Sequence, residues 1–438
     1  MGLTSFRGLY PFMKKNTIGE DIKQLKIANF YNVPLKIKNI VESEPAVGIG
    51  DVIKQGTLIA KPSGKFGINI YSPVSGKVLN ILSKMSNEGV YCKHILIMSD
   101  GKNEVADLPE IESISDINLI GRLRDAGIID TISNMPSYLK YAYTGSRSYK
   151  NLIILMDSTD LNSTVNQAIS EFKTEEVVNG AKYFMNITSA QTIIFVFNES
   201  NRRLAAKLKK HILESKKNYD FKIKFIPNKY PFDNPYILSS LVLRKKVTAK
   251  SSFLQEGIAI ETSESCYNFC RAVEFNKPVI SKIVTVTGTN ILRAGNYNVL
   301  NGYSYKNLLE EVGVDSFDSK SHLISGNILS GVALYDKESS ISLADDTVIY
   351  EKFDILDKVK ENPCISCGKC IDVCPVFINP TLLDDAYLNG DFDKLYRNNV
   401  HSCIECGCCS YVCPSKRFLT QRIVAAKYYD KKRKNGGK

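Results

Sequence analysis

Near the C-terminus the same cysteine spacing is written twice. Cys364, Cys367, Cys370 and Cys374 form C-x-x-C-x-x-C-x-x-x-C-P, and Cys403, Cys406, Cys409 and Cys413 repeat it, with Pro375 and Pro414 closing the runs. Thiolates at this spacing hold [4Fe–4S] clusters, three ligands of a run on one cluster and the fourth on the other. The pattern predicts two clusters, one on Cys364, Cys367, Cys370 and Cys413, its neighbour on Cys403, Cys406, Cys409 and Cys374. Crossed ligation would make the two runs one folding unit. Paired C-x-x-C steps also suit tetrahedral zinc, but a three-cysteine ladder ending in Cys-Pro, present twice, is poorly explained that way. The chemistry expected is single-electron transfer.

A second sulfur pair, Cys266 and Cys270, lies four residues apart in "ETSESCYNFCRAVEF", where Thr262 or Ser263 would open a helix. That spacing puts both thiols on one helix face. Cys266 would sit in the first turn, where the helix dipole favours a thiolate, so a redox-active pair is conceivable. The competing reading, which we favour, makes both small buried hydrophobes. Cys92 beside His94 is a weaker signal, and Cys408 is expected to point away from both clusters.

A chain of 438 residues is too long for one core and suggests three or four domains. With 44% hydrophobic and 24% charged residues it reads as globular, and no apolar run approaches the roughly 20 residues of a membrane span. Residues 1–15 do not read as a signal peptide, so a cytoplasmic protein is expected, with at most peripheral contact at the inner face of the membrane. Eight of the twelve cysteines fall in the two runs, which favours a reducing, oxygen-poor compartment and an anaerobic host. The formal charge of +11 is scattered, with one dense block at Lys431, Lys432, Arg433 and Lys434. Such a tail is expected to be solvated, and acidic protein partners such as small ferredoxins fit better than nucleic acid.

These chemical groups need a scaffold, and the chain changes character along its length. Residues 1–110 hold short β-rich runs with glycine turns, including Gly50-Asp51-Val52 with Gly56, and Ser72 to Val78. They resemble a lipoyl-type barrel-sandwich hybrid. The tip Ser63-Gly64-Lys65-Phe66-Gly67 lacks the usual neighbours of a modified lysine, which favours a scaffold over a carrier. In 116–250, apolar runs at 151–157 and 192–197 read as buried parallel strands, Leu204 to Ser215 as a helix, and Phe221 to Pro231 as a further strand entering a turn. Residues 251–350 form a third unit, with strands over 277–288 and a helix from an N-cap at Ser304 to a C′ residue at Gly313. The cysteine domain follows at 354–427 and a basic tail at 428–438.

Taken in order, "SPVSGKV", "KPVISKIVTVTG", "PCISCGKCIDVCPVFINPTLL" and "HSCIECGCCSYVCPSKRFLTQRIVAAK" resemble the C subunit of the Rnf complex, a membrane-bound ferredoxin:NAD oxidoreductase. The resemblance implies a multidomain α+β and α/β architecture. Its parts would be a barrel-sandwich hybrid, a Rossmann-like α/β domain of the complex I flavoprotein type, a soluble-ligand-binding β-grasp domain and a helical two-cluster ferredoxin-like domain. The family's nucleotide loop is glycine-rich, because a side chain would occupy the phosphate's space. Here Ala126-Gly127-Ile128-Ile129 is followed by Asp130, Thr131, Ile132, Ser133, Asn134, Met135 and Pro136, so the loop glycines are gone and Asp130 puts a negative charge where a phosphate would sit. The family's acidic step after the first strand becomes Asp157-Ser158-Thr159-Asp160, and its N-terminal G-G-x-H-P becomes Gly8-Leu9-Tyr10-Pro11.

These departures make FMN and NADH unexpected, unless Thr131, Ser133 and Asn134 hold a nucleotide by hydrogen bonds. By elimination they favour the proline-reductase-associated electron-transfer proteins of clostridia. The resemblance then implies an electron relay from a ferredoxin, an NADH-oxidising protein or an Rnf-type donor to a terminal reductase such as proline reductase. The other reading is an Rnf-type subunit that binds FMN and NADH.

Overall fold

The computed structural model describes residues 7–10, 15–108, 117–142, 149–215, 219–245, 247, 252–314, 320–352 and 360–435, with side chains to residue 429. Early in the chain, Phe30–Pro34, Tyr91–Ser99, Gly76–Met85 and Val52–Ile53 pair in that order as an antiparallel sheet. A second sheet of Glu44–Pro45, Leu58–Lys61 and Ile70–Tyr71 packs on it, with Tyr31, Val33, Ile59, Ile70, Val78 and Ile95 in a common core. Gly76, from the Ser72–Val78 step, has φ +154°, and a Cβ there would meet the Met98 carbonyl oxygen at 2.0 Å. Only glycine lets the two strands close at this point.

Next comes a parallel sheet in the order Phe221–Ile226, Thr192–Asn198, Asn151–Leu155, Ile258–Thr262. The strand Thr192–Asn198 is buried at every residue, as a strand covered on both faces must be. Helices Val165–Phe172, Thr174–Thr188 and Ser263–Phe275 join one core with Phe184 and Phe269, and Pro235–Leu243 covers the other face. The strand order reverses between Asn151–Leu155 and Ile258–Thr262. In open α/β sheets the crevice at the carboxyl ends beside such a reversal is where ligands sit.

Two expected boundaries move. Ile258–Thr262 and Ser263–Phe275 were expected in the third unit, from 251, but they complete the parallel sheet, because a doubly wound sheet needs a strand beyond its reversal. Ile22–Gln24, expected within 1–110, instead runs parallel to Gly295–Leu300 at the edge of the six-stranded mixed sheet of the third unit. That sheet continues with Ser281–Thr287, Thr347–Lys352, Ser321–Ser325 and Val332–Leu334. The helix Tyr305–Glu311 begins at Ser304, whose Oγ accepts from the Asn307 amide at 3.1 Å, and Gly313 follows it with φ +92°. The barrel and this sheet share one core, and Asn87 Nδ2 ties them by donating to the Tyr305 hydroxyl at 2.9 Å and to Asp345 at 2.7 Å.

The cysteine domain is helical: Lys369–Val373, Pro380–Leu388, Phe392–Arg397, Cys408–Tyr411 and Leu419–Asn435. The last helix runs unbroken through residues 428–435 of the expected tail; residues 436–438 and the side chains of Lys431 to Lys434 lie outside the described residues. Among the described residues no helix is long and apolar enough to cross a membrane.

Candidate electron-transfer site

The two cysteine runs fold alike. Two residues after the first cysteine, Ser366 and Glu405 take φ +55° and +61°; one after the second, Gly368 and Gly407 take +76° and +79°. Phe377 and Lys416, three after the last, take +59° and +53°. Left-handed residues turn successive amides inward, forming an anion-binding nest. The amides of Ser366 and Glu405 accordingly donate to Cys364 Sγ and Cys403 Sγ, each at 3.4 Å. Amide–sulfur bonds of this kind tune cluster potential.

Cys374 crosses from the first run to the second: with Cys403, Cys406 and Cys409 it surrounds one cavity, floored by Thr420 and Ile423. Cys413 lies with Cys370, Leu419 and also Cys409 in another cluster of side chains. The first grouping brings Cys374 to the second run, as the crossed pattern expects, while Cys409 touches both groupings. Burial pushes the thiols of Cys370 and Cys403 up to about 11 and that of Cys409 to about 12. Bare thiolates are thus disfavoured there, and the positive charge of bound iron is what would stabilise them. Cys364 and Cys367 are exposed, so the first run meets solvent while the second faces the protein interior.

What the second run faces is a cavity of about 300 Å³ at the strand reversal, within the size range of ligand sites. Leu155 and Thr262 bring to it the ends of the two strands, and Tyr230, Pro231 and Asp233 to Pro235 form one wall. Cys406 lines both this cleft and the cysteine cavity. Tyr230 sits at the junction, its hydroxyl donating to the Cys406 carbonyl oxygen at 2.9 Å. The sequence pointed to neither Tyr230 nor Asp233, since isolated residues after a strand carry no spacing signal.

Asp130 is where the sequence argument fails. Its carboxylate was expected to occupy phosphate space, yet it is buried and does not line the cleft. The segment 129–136 forms a tight hairpin in which Ile129–Asp130 pairs with Met135–Pro136. Asp130 turns inward to accept from the Ile132 amide at 3.2 Å and Ser133 Oγ at 2.6 Å, and it pairs with Lys140 at 3.2 Å. Thr131 and Asn134 face the cleft instead. Asp157 also turns away, toward its neighbouring amide and Asn201, and Asp160 accepts from the amides of Asn162 and Ser163 at 2.8 Å. Lys38, Thr131, Asn134 and Asn166 supply cationic and hydrogen-bonding groups, while Leu155, Val165, Pro231 and Ile404 supply apolar surface. The apolar side suits a flavin's planar ring and Lys38 its anionic end, beside a lining that also carries Asp160, Asp233, Glu264, Asp346 and Glu405, with Lys282 paired to Glu264.

The candidate redox pair does not gain support. The helix does start at Thr262, but Cys266 and Cys270 are both fully buried. Desolvation drives both thiols up, outweighing the favourable helix end. Cys266 lies where two helices touch, since a Cβ on Gly180 would meet its carbonyl oxygen at 1.9 Å. Cys92 and His94 are likewise buried, 3.8 Å apart. Cys408 does not stand apart as expected: it is fully buried, lines the cysteine cavity and lowers the Cys406 thiol by a hydrogen bond.

Fold and site together define an iron–sulfur electron-transfer protein built on a flavoprotein-type α/β domain. A model of the RnfC barrel-sandwich hybrid domain matches residues 3–102, one of the Nuo51 FMN-binding domain matches 123–271, and one of a 4Fe-4S dicluster domain matches 356–414. The C subunit of the proton-translocating ferredoxin:NAD(+) oxidoreductase complex of Clostridium ljungdahlii is 27% identical over 389 residues, 87% of this chain and 84% of the relative. The C subunit of the ion-translocating oxidoreductase complex of Rhodobacter capsulatus is 25% identical over 380 residues, 85% of this chain and 73% of the relative. A solved NAD+-reducing [NiFe]-hydrogenase in the H2-reduced state is similar at 10% identity and TM-score 0.49, over 75% of this chain and 64% of that one.

These matches support the RnfC family, and the chain is RnfC-like over most of its length. They also overturn the expectation that FMN is unlikely: the FMN-binding domain match covers the hairpin and the part of the cleft lined by Thr131 to Glu264, glycines or not.

Proposed function

We propose that the protein is an RnfC-type subunit that binds FMN in the cleft and two [4Fe–4S] clusters on the two cysteine runs. It would pass electrons between NADH and protein partners of a membrane-associated ion-translocating complex. One observation carries this reading: Cys406 forms a wall of both the cleft and the cysteine cavity. Bound FMN would convert a two-electron hydride donor into one-electron traffic, which the clusters need. Of the chain's own residues, Thr131, Asn134 and Asn166 would orient the flavin by hydrogen bonds, Lys38 would meet its anionic end, and Tyr230 would hold the Cys406 backbone against the cleft. We assign Cys374, Cys403, Cys406 and Cys409 to the cluster nearest the cleft, and Cys364, Cys367, Cys370 and Cys413 to the one that meets partners, because Cys364 and Cys367 are exposed.

A narrower reading, delivery to proline reductase, rests on the altered Gly8–Pro11 step and the glycine-free hairpin. The relatives' names favour the membrane complex. Affinity capture from anaerobic extract separates the two: co-purifying membrane subunits support the proposal, and a soluble amino-acid reductase in their place contradicts it.

A further inference from the structure

Behind the strand end that floors the cleft, two carboxylates share one ammonium. Glu261 Oε1 accepts from Lys140 Nζ at 2.9 Å and from the Tyr141 hydroxyl, and Asp130 Oδ1 stands 3.2 Å from the same nitrogen. Glu261 is fully buried and its Oε2 has no hydrogen-bond partner. Tyr149 and Cys266 complete the titratable surroundings, and among the described residues Lys140 is the cation that faces Glu261. Two carboxylates against one lysine leave a negative charge unbalanced. A buried charge in that state is costly, so the cluster favours an added proton. Desolvation raises the Glu261 carboxyl, with Lys140 opposing it.

The cluster is also placed to sense the cleft. Thr131 and Thr262, the next residues after Asp130 and Glu261, both line it, and their hydroxyls lie 2.8 Å apart. Lys140 keeps 25% of its side chain exposed, which gives protons a route from solvent.

We propose that Glu261 takes up a proton when electrons enter the cleft, an inference that rests on the flavin reading above. Two electrons and one proton, delivered as hydride from a reduced nicotinamide, leave one net negative charge in the cleft. A proton from water then forms an O–H bond on Glu261 and balances that charge. As the electrons leave singly through the clusters, that proton and the one delivered within the hydride both return to water.

The test uses anaerobic protein of measured flavin content, titrated with reductant in weak buffer containing a pH-indicator dye. Wild type is expected to take up one more proton per flavin reduced than Glu261→Gln of matched flavin content. Equal uptake overturns the proposal, because a purely structural glutamate would not change proton stoichiometry. Should Glu261→Gln fail to fold, Asp130→Asn serves: it leaves one carboxylate facing Lys140, so uptake should fall by the same one proton, and uptake equal to wild type overturns the proposal. Wild type without flavin would instead contradict the underlying flavin reading, a result distinguishable from either.

Discussion

The Tyr230 hydroxyl donates to the Cys406 carbonyl oxygen at 2.9 Å, joining the wall of the cleft to the backbone of the second cysteine run. Electron transfer depends steeply on separation and rigidity, so this bond bears on function more than on stability. Tyr230→Phe should cost about 1 kcal/mol of stability, a small fall in melting temperature. It should slow electron passage from the cleft to the clusters while leaving iron and flavin content unchanged. An unchanged rate in single-turnover reduction would show that the Cys406 backbone is held without it.

Crossed ligation makes an asymmetric forecast. Cys374→Ser, although in the first run, should remove the cluster of the second, and Cys413→Ser should remove the cluster of the first; each variant should retain about half the iron. Electron paramagnetic resonance identifies the surviving cluster. Uncrossed losses would contradict the pairing of Cys374 with Cys403, Cys406 and Cys409 seen around one cavity.

Buried carboxyls set the pH dependence of stability. Asp157, Asp233, Glu261 and Glu264 all have their carboxyls raised, desolvation first, above the ordinary 3.8 for aspartate and 4.5 for glutamate. The folded state therefore holds these protons more tightly than the unfolded chain. Their contribution is fully present below those ordinary values and is lost as pH rises through the raised ones. Cofactor-free protein should accordingly gain stability as pH falls from neutral toward those ordinary values, and Asp233→Asn should flatten the slope. Urea melts across that range check it; a slope of opposite sign would mean the exposed ion pairs dominate.

Cys266 and Cys270 should behave as packing. Thiol reagents should leave both unmodified in the native anaerobic protein, and Cys266→Ala should cost about 1–2 kcal/mol without slowing electron transfer. Slower transfer at intact cluster absorbance would restore the redox pair.

The sequence was most legible where chemistry imposes spacing. Four thiolates around a cluster need fixed separations, so the two runs could be read directly, as could strands such as Thr192–Asn198, whose burial on both faces demands an unbroken apolar run. The cap at Ser304 was legible for the same local reason. Long-range relations were not. Nothing local says that Ile22–Gln24 pairs with Gly295–Leu300, or that Ile258–Thr262 closes the parallel sheet. Asp130 misled because its partner, Lys140, lies ten positions on and across a hairpin. A charge counted along the chain looked like an obstacle to phosphate, whereas in space it turns away from the cleft to the lysine it shares with Glu261.

The central claim is that this chain carries its own flavin beside its clusters. The most direct measurement is the content of iron, sulfide and flavin in anaerobically purified protein, followed by its spectrum on adding NADH alone. The account predicts FMN in stoichiometric amount and bleaching of both flavin and cluster absorbance. Iron without flavin, and clusters that stay oxidised under NADH, would contradict it.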